Sequence, residues 1–219
     1  MLPFELFASW RMFLFSFVAR LVPGKGHADA LRAFARVVRE ETSARLIIAG
    51  DGPLQRSIEN LAISLSIGER VKLLGYRKDV PALLAASDAF VHPSLGEPFG
   101  LSILEAMAAG RPVIAYRDGG PSEVIQDGGI LVAPGDIAGL TEAMLRLARD
   151  PDLAARMGRI AQQDVEVRFN PKTEADRFGA FLCAVAAGTH LLGLKATRLH
   201  SLPVVEIRNG TTRDDRQVR

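Results

Sequence analysis

The sequence has almost no cysteine and no hydrophobic run long enough to cross a membrane. Its single cysteine, Cys183 among 219 residues, cannot form an internal disulfide or a thiolate metal cluster, and it is compatible with a reducing compartment. The apolar run over residues 12–19 is far short of the roughly 20 residues that a membrane-spanning helix needs. Glu5 and Arg11 interrupt the apolar N-terminus, and the basic segment that opens a signal peptide is missing. We therefore expect residues 1–12 to form an irregular lead rather than a signal or an anchor.

The chain carries little net charge, and its positive surplus lies at one end. The 27 Lys and Arg residues exceed the 25 Asp and Glu residues by two. Residues 191–219 hold six of the basic and three of the acidic side chains, which leaves the preceding residues with 21 basic against 22 acidic. The pI of about 8.9 therefore comes from the C-terminal tail, and the sequence predicts no nucleic-acid partner.

Apolar segments typical of buried strands alternate with amphipathic helical segments along most of the chain. The predicted strands are residues 13–18, 46–49, 71–74, 89–91, 113–115 and 130–132. The predicted helices are residues 28–40, 53–65, 80–86, 101–109, 122–125, 137–149, 151–168 and 172–187. Strands separated by helices of this length form parallel sheets with right-handed crossovers. The pattern therefore predicts an α/β fold: a doubly wound, Rossmann-like, six-stranded parallel sheet in the order 3-2-1-4-5-6.

Proline, glycine and aspartate mark where the predicted helices begin and end. Pro53 is expected to open the second helix, where its missing N–H costs nothing, and Asp136 to cap the helix over residues 137–149. Gly110 is expected to end the helix over residues 101–109. Beyond about residue 188 the periodicity decays. We therefore expect a domain over residues 13–187, followed by a loosely ordered basic tail over residues 188–219.

The predicted strand order brings two loops together at the point where such sheets bind ligands, outside the carboxyl ends of strands 1 and 4. The loop after strand 1 contributes Arg20 and Lys25, and the loop after strand 4 contributes Glu97 and leads into a helix that carries Glu105. Two cations and unpaired helix N–H groups suit a diphosphate, and a carboxylate suits the diol of a ribose. The alternative is that Arg20 and Lys25 are solvated surface side chains, and that Glu97 and Glu105 are ordinary surface carboxylates or partners for Arg111.

Two common nucleotide-binding motifs are missing from these loops. No G-x-G-x-x-G follows strand 1, which argues against a nicotinamide or flavin dinucleotide. The sequence Gly24-Lys25-Gly26-His27 lacks the spacing and the Ser or Thr of a P-loop, which argues against an ATPase.

Several separate segments, in the right order, resemble the motifs of retaining glycosyltransferases of family 4, the glycosyltransferase group 1 type. EPFGL at residues 97–101 and LEAMAAGRPVIA at residues 104–115 resemble the E-x7-E block of that family. RLVP at residues 20–23, with Lys25 and Gly26, resembles its diphosphate-binding R-L-x-P-x-K-G. AGDGPL at residues 49–54 resembles its A-G-x-G-P-x turn. The resemblance covers roughly residues 13–180 and implies the C-terminal, donor-binding half of a GT-B fold.

The resemblance also implies roles for individual residues. The catalytic set would be Arg20 and Lys25, which hold the nucleotide diphosphate and stabilise it as the leaving group, and Glu97, which contacts the donor sugar. In the substrate-binding set, Glu105 would bind the ribose hydroxyls, and the backbone N–H groups around Phe99, Gly100 and Leu101 would contact phosphate and sugar. Gly52 would make room for the donor, and Tyr76 and Arg77 would lie against the base.

The implied activity is transfer of a hexosyl group, with retention of configuration, from a nucleotide-diphosphate sugar to an acceptor. No metal cofactor is expected, because Arg20 and Lys25 would replace it and no D-x-D element is found. The sequence departs from the family at Ala19, where Gly is usual, and in lacking the N-terminal acceptor domain. We expect that domain to be missing or separately encoded, and the chain alone to transfer no sugar.

Two alternatives to a working donor half stay open at this point. One is a non-catalytic fragment or degenerate gene product that binds a nucleotide sugar, and the other is a related GT-B activity such as a nucleotide-sugar epimerase. The expected partners are the nucleotide-sugar donor and the acceptor domain. The expected location is cytoplasmic, and peripheral contact with the inner face of a membrane also stays open.

Overall fold

The computed structural model describes residues 12–170, which form a single parallel sheet with helices between the strands. The strands are β1 (Leu14–Val18), β2 (Arg45–Ala49), β3 (Val71–Leu73), β4 (Ala89–His92), β5 (Val113–Tyr116) and β6 (Gly129–Val132). They lie in the order β3-β2-β1-β4-β5-β6, and every pair is parallel. The predicted doubly wound α/β sheet and its strand order are confirmed.

Seven α-helices and one short 3-10 helix connect or follow the strands in the described part of the chain. They are α1 (His27–Glu40), α2 (Gln55–Ser64), the 3-10 helix (Gly68–Arg70), α3 (Val80–Ala85), α4 (Leu101–Ala108), α5 (Gly120–Val124), α6 (Ile137–Arg149) and α7 (Pro151–Arg168). α1 packs against α6, and α4 packs against α7.

The central strands are mostly apolar because helices cover both faces of the sheet. All four residues of β4 and all four residues of β5 are buried. Phe15 and Phe17 of β1 have no solvent exposure, and α1 adds Leu31 and Phe34 to the same core. Burial on both faces explains why these strands have nearly continuous apolar sequences rather than alternating ones.

The second helix begins later than predicted. α2 starts at Gln55, whereas Pro53 lies in the preceding turn. The N–H of Leu54 donates to the carbonyl of Leu21 at 3.0 Å, which ties the turn after β2 to the loop after β1. The prediction that Pro53 opens the helix is therefore wrong, and α5 likewise begins at Gly120, two residues before its predicted start.

Two other predicted helix ends are confirmed. The Asp136 carboxylate accepts a hydrogen bond from the N–H of Gly139 at 2.8 Å, which caps the start of α6. After α4, the N–H of Arg111 donates to the carbonyl of Ala106 at 3.0 Å. This bond closes the last turn in the way expected when a glycine, here Gly110, follows a helix.

The described residues up to the end of α7 at Arg168 belong to one compact unit of the chain. The predicted helix over residues 172–187, the tail over residues 188–219 and nearly all of the N-terminal lead lie outside the described residues. No helix within residues 12–170 combines the length and the apolar composition that a membrane crossing requires.

Candidate active site

A cleft of about 570 Å³ opens at the carboxyl edge of the sheet, among the loops that follow β1, β2, β3 and β4. Nine of the ten residues proposed from sequence line it: Arg20, Lys25, Tyr76, Arg77, Glu97, Phe99, Gly100, Leu101 and Glu105. The convergence follows from the strand order, since parallel strands end at one edge and β1 and β4 are neighbours there. Their individual roles stay predictions.

Gly52 is not among the residues that line this cleft. A Cβ atom built on Gly52 would lie 2.5 Å from the carbonyl oxygen of Leu21, which is too close for any side chain. The close approach between the turn after β2 and the loop after β1 accounts for this glycine. The expectation that Gly52 makes room for a donor therefore needs correction, because the space it leaves is filled by backbone.

Lys25 and Glu97 form an ion pair in the cleft. The ammonium of Lys25 donates to Oε2 of Glu97 at 2.6 Å, and the two side chains are 27% and 13% exposed. The same carboxylate oxygen lies 3.3 Å from Nε2 of His92 and accepts from the hydroxyl of Ser94 at 3.4 Å. Burial raises the pKa of Glu97, but the hydrogen bonds from Lys25 and His92 and their charges outweigh it, so the pKa lies below its ordinary value. The carboxylate is therefore ionised at neutral pH.

The alternative that both glutamates pair with Arg111 is wrong for Glu97, because that carboxylate pairs with Lys25. The Arg111 guanidinium donates instead to the carbonyl of Ala109 at 3.1 Å. Glu105 is exposed on α4 and forms no ion pair within residues 12–170. Its position on the cleft wall leaves the carboxylate accessible to a ligand.

Two buried histidines lie near the ion pair, and one of them, His92, also lines the cleft. Burial lowers the pKa of His92, with Lys25 acting in the same direction and Glu97 against it. Burial, followed by the charges of His92 and Lys25, lowers the pKa of His27 from 6.5 to about 4. Both rings are therefore neutral at pH 7. Phe17 contacts both of them, stacked on His27 with ring centroids 4.6 Å apart and edge-on to His92 at 6.0 Å.

Sequence reasoning did not place His92, His27 or Ser94 in the site. Strand 4 was predicted to end at Val91, which left His92 in the following loop, whereas β4 extends through His92. α1 likewise begins one residue earlier than predicted, at His27. The available signal was a polar residue at the carboxyl end of an apolar strand, where functional side chains of parallel sheets lie.

The loop after β4 is held from two sides. The N–H of Leu95 donates to the carbonyl of Gly24 at 2.8 Å, in the loop after β1. On the other side, the N–H of Gly120 donates to the carbonyl of Glu97 at 2.8 Å, and the N–H of Gly96 to the carboxylate of Asp118 at 2.7 Å. These bonds fix the backbone that carries Glu97 and leads into α4.

The start of α4 faces the cleft. Gly100, Leu101 and Ser102 all line it, and the first N–H groups of a helix have no acceptor inside the helix. Such an end favours an anion, through its free donors and through the helix dipole. Among residues 12–170, no group of three or more His, Cys, Asp or Glu side chains is arranged to hold a metal ion.

Solved structures of glycosyltransferases share this fold. The chain aligns with Anabaena HepE in complex with UDP at a TM-score of 0.75 and 31% identity, over 80% of this chain and 49% of that one. It aligns with the C-terminal domain of the group 1 glycosyltransferase LpcC from Francisella tularensis at a TM-score of 0.68, over 73% of this chain and 87% of that one. At 21% identity the second match shows the fold alone. The predicted Rossmann-like half of a GT-B fold is confirmed.

Curated relatives match the same part of the chain. The N-acetyl-alpha-D-glucosaminyl L-malate synthase of Bacillus anthracis is 42% identical over 143 residues, which cover 64% of this chain and 37% of the relative. The lipopolysaccharide core biosynthesis glycosyltransferase LpsD of Rhizobium meliloti is 35% identical over 163 residues, which cover 74% of this chain and 46% of the relative. The chain thus spans less than half the length of these two proteins.

The family model described as glycosyl transferases group 1 matches residues 9–164, which include every strand of the sheet and every residue of the cleft. Since this match covers well over half of the sequence, the chain belongs to the glycosyl transferases group 1 family.

Proposed function

We propose that the chain is the donor-binding half of a glycosyltransferase that moves a hexosyl group from a nucleotide-diphosphate sugar to an acceptor, with retention of configuration. The observation that carries the proposal is the cleft at the switch point of the sheet, where Arg20 and Lys25 meet Glu97, Glu105 and the start of α4. The acceptor side would come from a separate domain, because the chain spans only 37% and 46% of two relatives.

In this proposal Arg20 and Lys25 bind the diphosphate of the donor and stabilise it as it leaves. Breaking the bond between the anomeric carbon and the diphosphate leaves negative charge on the phosphate oxygens and positive charge on the sugar. One well-placed donor to the developing anion is worth about 3 kcal/mol of the barrier. The two cations supply this stabilisation without a metal, and the N–H groups at the start of α4 add to it.

The carboxylates and the loop after β3 have separate proposed tasks. Glu105 accepts hydrogen bonds from the ribose hydroxyls, and Glu97 contacts the sugar and opposes the positive charge at its anomeric carbon. Tyr76 and Arg77, exposed on the cleft wall, contact the base. HepE, a similar structure, holds UDP in one case and UDP-glucose in another, which makes these two compounds the first probes for this chain.

Titration calorimetry of the full chain with UDP and UDP-glucose tests the division of tasks. Glu105→Gln should weaken binding of both ligands by about 1–3 kcal/mol, the range for a hydrogen bond to a charged group. Glu97→Gln should weaken UDP-glucose alone, because only that ligand carries the sugar. Glu142→Gln is the matched control, since Glu142 is exposed on α6 and is not among the residues that line the cleft.

Three other results would contradict parts of the proposal. Equal losses for both ligands in both variants would refute the assignment of ribose to Glu105 and sugar to Glu97. Tight binding of both ligands with no effect of either substitution would remove the site from this cleft. Sugar transfer by the purified chain alone would refute the need for a separate acceptor domain.

A cytoplasmic location is part of the proposal, supported by the single cysteine, which suits a reducing compartment. Peripheral contact with a membrane is a separate possibility that cell fractionation tests. Recovery of the chain in the membrane fraction, released by high salt, would support it.

A further inference from the structure

Glu97 receives its hydrogen bonds from three side chains that differ in how freely they can move. Lys25 is 27% exposed on the side-chain scale and lies on a surface loop. His92 and Ser94 are buried, at 2% and 0% exposure, at the end of β4 and in the loop that follows. All three reach the same atom, Oε2 of Glu97, at 2.6, 3.3 and 3.4 Å.

Lys25 has a second proposed partner. A diphosphate carries more negative charge than one carboxylate, and ammonium–phosphate contacts are strong, charge-assisted hydrogen bonds. When a donor enters the cleft, Lys25 would therefore turn toward the diphosphate and leave Glu97. The carboxylate then depends on His92 and Ser94 to keep its place.

Ser94 is the weaker of the two remaining partners. Its hydroxyl carries one proton, and that proton is shared between the carbonyl of Gly24 at 3.2 Å and Glu97 at 3.4 Å. The Nε2 atom of His92 has Glu97 as its acceptor within residues 12–170. Of the two, His92 is thus the donor without a competing acceptor.

The ring of His92 is held in one orientation by its neighbours. Phe90 stacks on it with ring centroids 5.8 Å apart and an angle of 17° between the planes. Phe17 meets it edge-on at 6.0 Å and 80°. A ring packed this way cannot follow Lys25 when that side chain moves, so its position is independent of the ligand.

The surroundings of the two ring nitrogens of His92 favour a proton on Nε2 over one on Nδ1. No acceptor or donor within residues 12–170 reaches Nδ1, whereas Nε2 faces an ionised carboxylate. The charged or titratable groups facing the ring are Lys25 from the loop after β1, Glu97 from the loop after β4, and His27 from α1. A neutral ring with its proton on Nε2 fits this surrounding, because it donates to Glu97 without adding a third positive charge.

We propose that His92 is a positioning residue for Glu97, whose Nε2–H holds the carboxylate at the donor sugar when Lys25 turns to the diphosphate. This assignment rests on the proposed function, because it presupposes that a nucleotide sugar binds in the cleft. His92 itself contacts no substrate in this scheme and acts only through Glu97.

Two variants separate positioning from packing. His92→Gln keeps an N–H donor near the position of Nε2, and His92→Leu removes it while filling the space between the two phenylalanines. For His92→Leu we expect affinity for UDP-glucose to fall about tenfold, as for loss of one hydrogen bond to a charged group, and affinity for UDP to be unchanged. His92→Gln should retain most of the affinity for UDP-glucose. Thermal unfolding of each variant reports any loss of packing.

A double substitution adds a second test. In a chain that already carries Glu97→Gln, His92→Leu should cause little further loss of UDP-glucose affinity, because His92 acts through that carboxylate. A merely structural role for His92 would lower the affinities for UDP and UDP-glucose alike and would do so with or without Glu97. Either of those results would overturn the assignment.

The protonation state of the His92 ring can be measured in the unsubstituted chain. Nitrogen-15 NMR of the imidazole should show a neutral ring protonated at Nε2 at pH 7, in the full chain before and after UDP is added. A proton on Nδ1 would overturn the assignment even if both ligands bind. Failure of the unsubstituted chain to bind either ligand would instead overturn the proposed function, and the assignment would fall with it.

Discussion

Replacing His27 should remove a large part of the acid sensitivity of this protein. His27 is the first residue of α1 and is 3% exposed, with neither ring nitrogen hydrogen-bonded within residues 12–170. Its ring stacks on Phe17, 4.6 Å between centroids. Burial, then the charges of His92 and Lys25, lowers its pKa from 6.5 to about 4. Between about pH 4 and pH 6.5, His27 is therefore mostly neutral in the folded chain and mostly protonated in the unfolded chain.

The size of the effect follows from that difference in pKa. Each pKa unit is worth about 1.36 kcal/mol, so a difference of about 2.5 units corresponds to about 3 kcal/mol. The sign is set by which state binds the proton. Stability from a neutral His27 is complete above pH 6.5, is lost as the pH falls from 6.5 toward about 4, and changes no further below that. Against a typical domain stability of roughly 5–15 kcal/mol, this is a large fraction.

Urea unfolding followed by circular dichroism at a series of pH values measures the effect. His27→Leu replaces the ring with an apolar side chain of similar size that cannot bind a proton. The free energy of unfolding of the unsubstituted chain should fall by about 3 kcal/mol more than that of the variant between about pH 7.5 and about pH 4. The difference between the two chains cancels the contribution of carboxylates such as Glu97. Parallel pH profiles for the two chains would refute the reasoning.

Two further substitutions test packing and hydrogen bonding away from the cleft. Gly158→Ala in α7 should destabilise the chain by about 1–2 kcal/mol in urea unfolding, because the new Cβ would lie 2.1 Å from the carbonyl oxygen of Gly110. Overpacking of this kind costs more free energy than the roughly 1 kcal/mol that alanine gains over glycine in a helix. A more stable variant would show that α7 can move away from α4 at little cost. Tyr116→Phe should cost about 1.5 kcal/mol in the same assay, because the fully buried Tyr116 donates its hydroxyl to the carboxylate of Asp29 at 2.9 Å. An unchanged unfolding free energy would mean that this bond adds nothing over hydration of Asp29.

Most helix boundaries were open to prediction because they depend on short-range patterns, whereas the strand order followed from the doubly wound fold class. α6 and α7 have the predicted bounds, since apolar periodicity and capping residues act within a few positions. α2 and α5 are the exceptions, since α2 begins two residues later and α5 two residues earlier than predicted. Near both starts a backbone N–H is bonded to another loop, from Leu54 to the carbonyl of Leu21 and from Gly120 to the carbonyl of Glu97, and no local pattern carries that information.

The site could be predicted as a set of loops but not as a set of contacts. Because neighbouring parallel strands end at one edge, Arg20 and Glu105 line the same cleft as expected. The partner of Glu97 was not predictable in this way, and the suggested partner Arg111 was wrong. Gly52 was expected to make room for a ligand, whereas it makes room for the backbone at Leu21.

The sequence by itself determined the class of sheet, the family of the chain and most of the residues that line the cleft. The class of sheet depends on periodicity, and the family and cleft residues depend on motifs whose members are near one another in the chain; the strand order followed from the fold class. Only the tertiary structure decided that Lys25 bonds to Glu97 across 72 positions and that His92 lies buried behind the same carboxylate. The sheet sets the positions of the two loop backbones, and these positions decide which side chains come into contact. No local sequence pattern specifies such distances.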